Sequence, residues 1–207
     1  MMKRIARPAL IAAAALLGGC VSLLPETAPP KPRYHIEPVE ASALEGETVD
    51  WSLIIEDPRA TKVYDTVRIA VSTAPGKIEY FAGAEWADRA PRLFQTALVQ
   101  TFEDSGRILA VGDRSALPLA DIVLQTDIRR LELNTQGGQA ATVSIYARLT
   151  DGRSRIVAAK RFDASAPAAS DNADAVIAAF DAAFETLIPE IVDWTYREGV
   201  KRRASRG

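Results

Sequence analysis

The stretch DIVLQTDIRRLELNTQGGQAATVSIYARLTDGRSRIVAAKRFD, residues 121–163, alternates apolar and polar side chains with the period of β-strands. Gly137-Gly138 and Asp151-Gly152 are pairs typical of tight turns, and they divide the stretch into three strands. The apolar positions change parity near Arg129 and Arg130, which predicts a bulge or a strong twist there. The stretch therefore predicts an antiparallel meander.

The chain on either side of the meander switches between the strand period and the helix period. Further strands are predicted over residues 51–55, 67–71 and 78–82. One helix has Pro91 in its first turn and Gly106 at its end, and a second begins near Asp171. Pro189 removes a backbone donor, so the second helix is expected to kink or divide there. The elements together predict the α+β class, as a two-layer domain whose mixed, mainly antiparallel sheet carries two amphipathic helices on one face.

The first twenty residues have the pattern of a secretory signal. Basic residues at positions 3, 4 and 7 precede an uncharged apolar run over residues 9–17, about half the length of a membrane-spanning helix. Leu17-Gly18-Gly19-Cys20 resembles the lipobox of bacterial lipoproteins, in which the cysteine is acylated and becomes the first residue after cleavage. Residues 1–19 are therefore predicted to be a signal peptide and Cys20 the lipidation site. A buried or spare thiol is the alternative for Cys20.

The residues after the signal predict a tether followed by one domain. Residues 20–33 combine Cys20 with several prolines, which favour extended polyproline-II structure. A single α+β domain is expected over residues 34–197. Residues 198–207 form a basic tail, for which we expect a solvated, frayed end, with anionic lipid headgroups as the alternative contact.

The amino-acid composition argues against several classes of functional site. The 207 residues are 48% hydrophobic with a net charge of −2, which favours a globular domain and gives no uniform field to attract nucleic acid. One cysteine and one histidine leave no disulfide framework and no cysteine-rich zinc site. His35 is expected to be an exposed strand residue rather than a catalytic base. We predict no catalytic residue, no cofactor and no metal site.

Two groups of acidic residues have simple structural explanations. One group could bind calcium but lacks the glycine and the terminal glutamate of an EF-hand loop, so capping of the second helix is preferred. It comprises Asp163, Asp171, Asn172 and Asp174. The other group could provide paired catalytic carboxylates, but carboxylates are common on surface strands and loops. It comprises Glu79, Glu85 and Asp88.

The most distinctive segment lies before the first predicted helix. It comprises DTVRIAV at residues 65–71 and IEYFAGAEWADRAP at residues 78–91. Together with the lipobox and the opening strand Tyr34-His35-Ile36, it resembles the ABC-type transport auxiliary lipoproteins, relatives of the paraquat-inducible protein C lipoprotein. The resemblance runs from Tyr34 to about Val192, and Val63-Tyr64 departs from the glycine-leucine often found in the family. It implies a fold similar to the N-terminal domain of the translocation protein TolB.

The resemblance also implies a function. Such lipoproteins accompany ABC transporters whose periplasmic subunits contain mammalian-cell-entry domains and which move phospholipids or other hydrophobic molecules across the envelope. We therefore expect a non-enzymatic docking component, anchored through Cys20 to the outer membrane and facing the periplasm. Val21 and Ser22 favour the outer membrane, because an aspartate after the cysteine would resemble an inner-membrane retention signal.

Three aromatic residues are candidate contacts with a partner or a lipid, because aromatic side chains dominate interface energetics: Tyr80, Phe81 and Trp86. Core packing is the alternative, above all for Trp86. A second copy of the chain, as in a ring, and a lipid ligand are further candidate partners. The alternative function is a monomeric periplasmic carrier that binds lipid, and an envelope enzyme is a third hypothesis.

Overall fold

The computed structural model describes residues 30–40 and 46–204. The predicted signal peptide, Cys20 and most of the predicted tether lie outside these residues. Within them, strands and helices follow one another in the order β1 (Arg33–Tyr34), β2 (Val49–Ile55), β3 (Arg59–Ala60), β4 (Arg68–Ala74), β5 (Lys77–Trp86), α1 (Ala90–Asp104), β6 (Ile108–Gly112), β7 (Ile122–Asn134), β8 (Ala140–Asp151), β9 (Ile156–Pro167) and α2 (Ala173–Ala204).

The meander forms as predicted, with β7, β8 and β9 paired antiparallel along almost their full length. Alternate residues of β8 are at most 1% exposed and form the centre of the core: Ala141, Val143, Ile145, Ala147 and Leu149. The register of β7 against β8 shifts between Ile128 and Arg130. This shift is the predicted bulge, and beyond it the buried side chains of β7 change parity from Ile128 to Leu131.

β7 is the strand on which the rest of the sheet is assembled. One of its edges pairs with β8, and the other pairs in parallel with β2, β3 and β4 in succession. β6 extends the sheet beyond β2, whereas β5 and then β1 extend it beyond β4. The sheet is therefore mixed, with long antiparallel ladders and short parallel ones, and it forks at β7 into a β2–β6 branch and a β4–β5–β1 branch.

Both helices contribute to a single core with one face of the sheet, which confirms the predicted α+β architecture. The rings of Phe94 in α1 and Phe184 in α2 lie 5.9 Å apart. Gln95 Nε2 in α1 donates a 3.0 Å hydrogen bond to the carbonyl of Ile55, which joins α1 to β2. Each large apolar side chain buried in this way stabilises the fold by about 1.5–3 kcal/mol.

α2 is one continuous helix, so the division considered at Pro189 does not occur. Asn172 Oδ1 accepts the backbone N–H of Ala175 at 2.9 Å, which is the predicted cap at the start of the helix. Pro189 removes the helical partner of the Glu185 carbonyl. Because Glu185 is exposed, water can hydrate that carbonyl, and the helix continues.

The basic end of the chain belongs to α2 as far as Ala204, so the expectation of a frayed end is wrong for residues 198–204. Arg202 donates a hydrogen bond to Asp151 at 2.7 Å, and Arg203 donates one to Asp50 at 2.5 Å. These ion pairs hold the end of α2 against the β8–β9 turn and against β2. Charge composition alone did not predict that these basic side chains have fixed acidic partners.

Gly199 allows α2 to approach β2 closely. The indole of Trp51 is 2% exposed, and a Cβ at position 199 would lie 2.5 Å from its Cζ2 atom. Glycine inside a helix costs about 1 kcal/mol relative to alanine. The contact with Trp51 therefore explains why a poor helix former occupies this position.

Candidate functional site

β5 contains a wide bulge within the segment that carries the family resemblance. Glu85 pairs with Arg68, whereas Tyr80 pairs with Ala70, so residues 81–84 lie opposite a single residue of β4. We call residues 81–84 the β5 bulge. A bulge interrupts the hydrogen-bond ladder and redirects the side chains around it. The two candidate aromatic residues Tyr80 and Phe81 therefore lie where β5 leaves regular pairing.

Tyr80 is half-buried and is held by a cation on the neighbouring strand. The guanidinium carbon of Arg68 lies 3.7 Å from the centroid of the Tyr80 ring. Such a cation–π contact stabilises an exposed site by about 0.5–1 kcal/mol. The ring thus has a fixed position while part of its surface stays open to solvent.

Phe81 is also half-buried and packs at the margin of the core. Its ring lies over Gly83, where an added Cβ would be 2.9 Å from Phe81 Cε1. Ala82 and Gly83 are exposed, so the β5 bulge presents backbone and one aromatic ring together. Gly83 inside a strand pattern is the sequence signal that could have predicted this bulge.

Trp86 lies in the core, and its assignment as a surface contact is corrected. Its side chain is 1% exposed and meets the ring of Phe180 edge to face, with the centroids 5.3 Å apart. The backbone N–H of Trp86 donates to the carbonyl of Val67 at 2.7 Å. Contact with a partner through this side chain would require the core to open, so only Tyr80 and Phe81 remain as candidates.

Among the described strands, β1 covers the outer edge of β5, and it does so only at the end of β5. β1 pairs with residues 85 and 86, and the Glu85 N–H donates to the carbonyl of Pro32 at 3.0 Å. Pro32 has no N–H to donate, so the residue before β1 cannot donate to this ladder. Among the residues that the structure describes, no strand pairs with the outer edge of residues 77–84.

β1 and the segment after it are hydrogen-bonded to both helices. The Tyr34 hydroxyl donates a 2.8 Å hydrogen bond to Asp174 in α2, and this bond raises the pKa of Tyr34. The Val39 N–H donates to Thr101 Oγ1 in α1 at 3.0 Å. The predicted tether therefore leads into a firmly attached segment beside β5.

Two of the carboxyl groups with displaced pKa values lie where packed elements meet. The hydrogen bond from Arg202 holds the pKa of Asp151 well below its usual range. Burial, together with the charges of Glu185 and Glu37, raises the pKa of Asp181 to about 6. The first group fixes the end of α2, and the second lies where α2 meets the segment after β1.

Each of the acidic residues considered for catalysis pairs with a basic residue, and Asp88 does so with Arg92 at 3.6 Å. Glu79 pairs with Lys77 at 2.6 Å, and Glu85 pairs with Lys31 at 3.4 Å. His35 is exposed, as predicted, but it is not in a strand, because β1 ends at Tyr34. Within residues 30–40 and 46–204, no group of three or more metal-ligating side chains is placed to hold an ion. None of the described helices is long and apolar enough to cross a membrane.

A surface pocket of about 430 Å³ lies between the end of β2 and the start of α1. Its lining is entirely polar and consists of Glu56, Asp57, Arg92, Gln95, Asp113, Arg114 and Ser115. Polar walls suit a hydrated group rather than an acyl chain, which would need apolar walls. This pocket gives no support to the hypothesis of a lipid carrier.

The chain belongs to the family described as the ABC-type transport auxiliary lipoprotein component, whose model matches residues 34–192. This match confirms the resemblance inferred from the sequence. The family is defined as a transport component and not as an enzyme family. A lipoprotein that assists an ABC transporter is therefore the class to which this chain belongs.

Particular relatives support the family and the fold. An uncharacterised protein of Bradyrhizobium diazoefficiens, bll6063, is 34% identical over 152 residues, which cover 72% of this chain but only 40% of that relative. Protein XCC0632 from Xanthomonas campestris is 32% identical, with a TM-score of 0.71 over 86% of this chain and 99% of that one. A second crystal structure, of an uncharacterised protein, has a TM-score of 0.61 at 13% identity and supports the fold alone. Similarity to the TolB domain stays a prediction.

Proposed function

We propose that this chain is a non-enzymatic lipoprotein, anchored to the outer membrane and facing the periplasm, that docks onto a mammalian-cell-entry-domain subunit of an ABC transporter and so assists lipid transport. The observation that supports the proposal is the β5 bulge. It contains Phe81 and adjoins Tyr80, so two partly exposed aromatic rings lie at a strand edge that no described strand covers, in a member of an auxiliary lipoprotein family.

The β5 bulge has the chemistry of a docking surface. Aromatic side chains that are half-buried in the free protein can become fully buried in a complex at low entropic cost, because their positions are already restricted. Arg68 restricts Tyr80, and the space above Gly83 holds Phe81. An uncovered strand edge adds backbone donors and acceptors that an extended segment of a partner can use.

Crosslinking in cells tests this assignment. A photoreactive residue at Phe81 or Tyr80 should trap the mammalian-cell-entry-domain subunit. Leu109 in β6 is the matched control, because it is 72% exposed and apolar but lies on the other branch of the sheet. Equal trapping from Leu109, or no trapping from β5 when a known pair crosslinks in the same cells, would refute docking through this surface.

The lipid anchor is tested separately. Labelled fatty acid should be incorporated into the wild-type protein and lost in Cys20→Ser, and unchanged labelling would remove Cys20 as the acylated residue. Val21→Asp should move part of the protein to the inner membrane, as membrane fractionation would show.

Native mass spectrometry of the Cys20→Ser form tests the alternative function, since stoichiometric bound lipid would favour the carrier hypothesis over docking.

A further inference from the structure

β9 leaves a long strand edge open. It has 12 residues, about 40 Å of extended chain, and among the described strands it pairs only with β8. Exposed edges in soluble proteins are normally short, bent or covered, because their free N–H and C=O groups pair with other chains. An open edge of this length needs either protection or a partner.

The side chains of β9 allow a second strand to approach. Most are small, and those at positions 158, 159, 164, 165 and 166 are alanine or serine. The charged side chains on the solvent-facing side are Arg161 and Asp163, which are 56% and 55% exposed. Lys160 has the parity of Phe162 and reaches Glu190 of α2, and the exposed Ile156 lies at the start of the strand. In the single chain Arg161 and Asp163 pair with each other at 2.9 Å, two residues apart on the same strand. The edge thus carries both signs of charge next to each other.

This arrangement is self-complementary in one register. If two β9 strands pair antiparallel about Phe162, Arg161 of each copy lies opposite Asp163 of the other. The flanking pairs then join Lys160 to Ala164, Ala159 to Ser165 and Ala158 to Ala166, so every flanking pair has at least one small side chain. Opposed residues have the same parity, so the core-facing sides of both sheets coincide and both copies of α2 lie on the same face.

Neighbouring registers are less favourable. Pairing about Arg161 places two guanidinium groups opposite each other on the symmetry axis, and pairing about Asp163 places two carboxylates there. A slip of one residue would set the core face of one sheet against the solvent face of the other. Pairing about Ala164 avoids like charges but shortens the overlap of the two strands. Charge, parity and length all favour the register centred on Phe162.

We propose that β9 is a homodimer interface, in which two copies of this chain join their sheets through antiparallel β9 strands centred on Phe162 and exchange Arg161–Asp163 ion pairs. The interface does not involve β5, so each copy keeps its docking surface. The dimer does not rest on the transport role, and its failure would leave the proposed function untouched.

Charge reversal tests the interface in the detergent-extracted, full-length lipoprotein. Arg161→Asp and Asp163→Arg each place like charges at two symmetric positions, whereas the double variant restores opposite charges. Two lost pairs and two new repulsions should raise the dimer dissociation constant about tenfold or more in each single variant. The double variant should return close to the wild-type value, as measured by sedimentation velocity.

A matched control is available on β5. Lys77 and Glu79 form an exposed ion pair with the same two-residue spacing. Glu79→Lys should leave the dissociation constant unchanged, and circular dichroism should show that every variant is folded. The proposal would be overturned if the wild type stayed monomeric at all accessible concentrations. It would also be overturned if the wild type formed a larger ring whose stability neither charge reversal changed. A double variant that stays as weak as the singles would overturn it too.

Cysteine crosslinking tests the register. In full chains that carry Cys20→Ser, Ala159→Cys and Ser165→Cys should form few disulfides when each is present alone. A mixture of the two should form an intermolecular disulfide, because these residues are opposed in the proposed register. Crosslinking of Ala159→Cys to itself would contradict it, and so would failure of the mixed pair in a protein that sedimentation shows to be dimeric.

Discussion

Replacing Gly199 with alanine measures how tightly α2 packs on β2. Helix propensity alone would make the variant more stable by about 1 kcal/mol. The added Cβ, however, would lie 2.5 Å from Cζ2 and 2.9 Å from Cη2 of Trp51. Carbon atoms in favourable contact are about 3.5–4.0 Å apart, so the indole would have to retreat by about 1 Å.

The indole of Trp51 has little room for such a movement, because its side chain is 2% exposed and surrounded by core residues. Overpacking of a core costs about 1–3 kcal/mol, and a contact this short with a rigid ring belongs at the upper end. After subtraction of the propensity gain, Gly199→Ala should lower the free energy of unfolding by about 2 kcal/mol.

Urea unfolding followed by circular dichroism provides the measurement. The midpoint should fall while the slope stays unchanged, since the surface exposed on unfolding is the same. In a Trp51→Phe background, where the ring is smaller, Gly199→Ala should cost much less. A Gly199→Ala protein more stable than wild type, by the amount that helix propensity predicts, would show that the close contact is absent.

Three further predictions concern groups with a defined environment. The raised pKa of Asp181 makes the free energy of unfolding of the wild type fall as pH rises from about 4 to about 6. Asp181→Asn should remove about 1 kcal/mol of this pH dependence, after allowance for solvent screening. Urea midpoints across this range provide the check, and an unchanged dependence on pH would contradict the prediction. Asp151→Asn should lower the free energy of unfolding at pH 7, because the lowered pKa of Asp151 means that the fold stabilises its ionised form. The difference between wild type and variant should shrink as pH falls below 3.8, the ordinary pKa of an aspartate. An equal loss of stability at pH 7 and pH 3 would count against this. Trp86→Ala should cost about 3–5 kcal/mol of unfolding free energy, and Phe81→Ala much less, because only Trp86 is fully buried; similar thermal shifts for the two would contradict the assignment.

The local parts of the fold were predictable, because their signals lie close together in the sequence. Two turn pairs and a change of apolar parity near Arg129 define the meander and its bulge. The parallel pairings of β7 with β2, β3 and β4 were not predictable. They join residues that are far apart along the chain, and two of the strands involved in the sheet, β1 and β3, are only two residues long.

The candidate site was predictable in its residues but not in their exposure. Tyr80 and Trp86 have the same parity along β5, so strict alternation would place both on one face. The β5 bulge adds residues between them and resets the alternation, which leaves Tyr80 half-exposed and Trp86 buried. The alternation of a strand does not predict which face a residue lies on when a bulge of unknown length comes before that residue. In the structure, Trp86 lies on the core side and packs against Phe180.

The fork in the sheet at β7 affects the order in which the protein can fold. β2, β3 and β4 do not pair with one another. Each pairs with β7, so none of these pairings can form until residues 122–134 have been synthesised. Pairing across such separations is slow, because a long loop must close before any contact forms. The centre of the sheet is therefore missing while the ribosome is still making the first half of the chain. For a chain with a predicted export signal at its N-terminus, the sheet is therefore incomplete while the signal is being recognised.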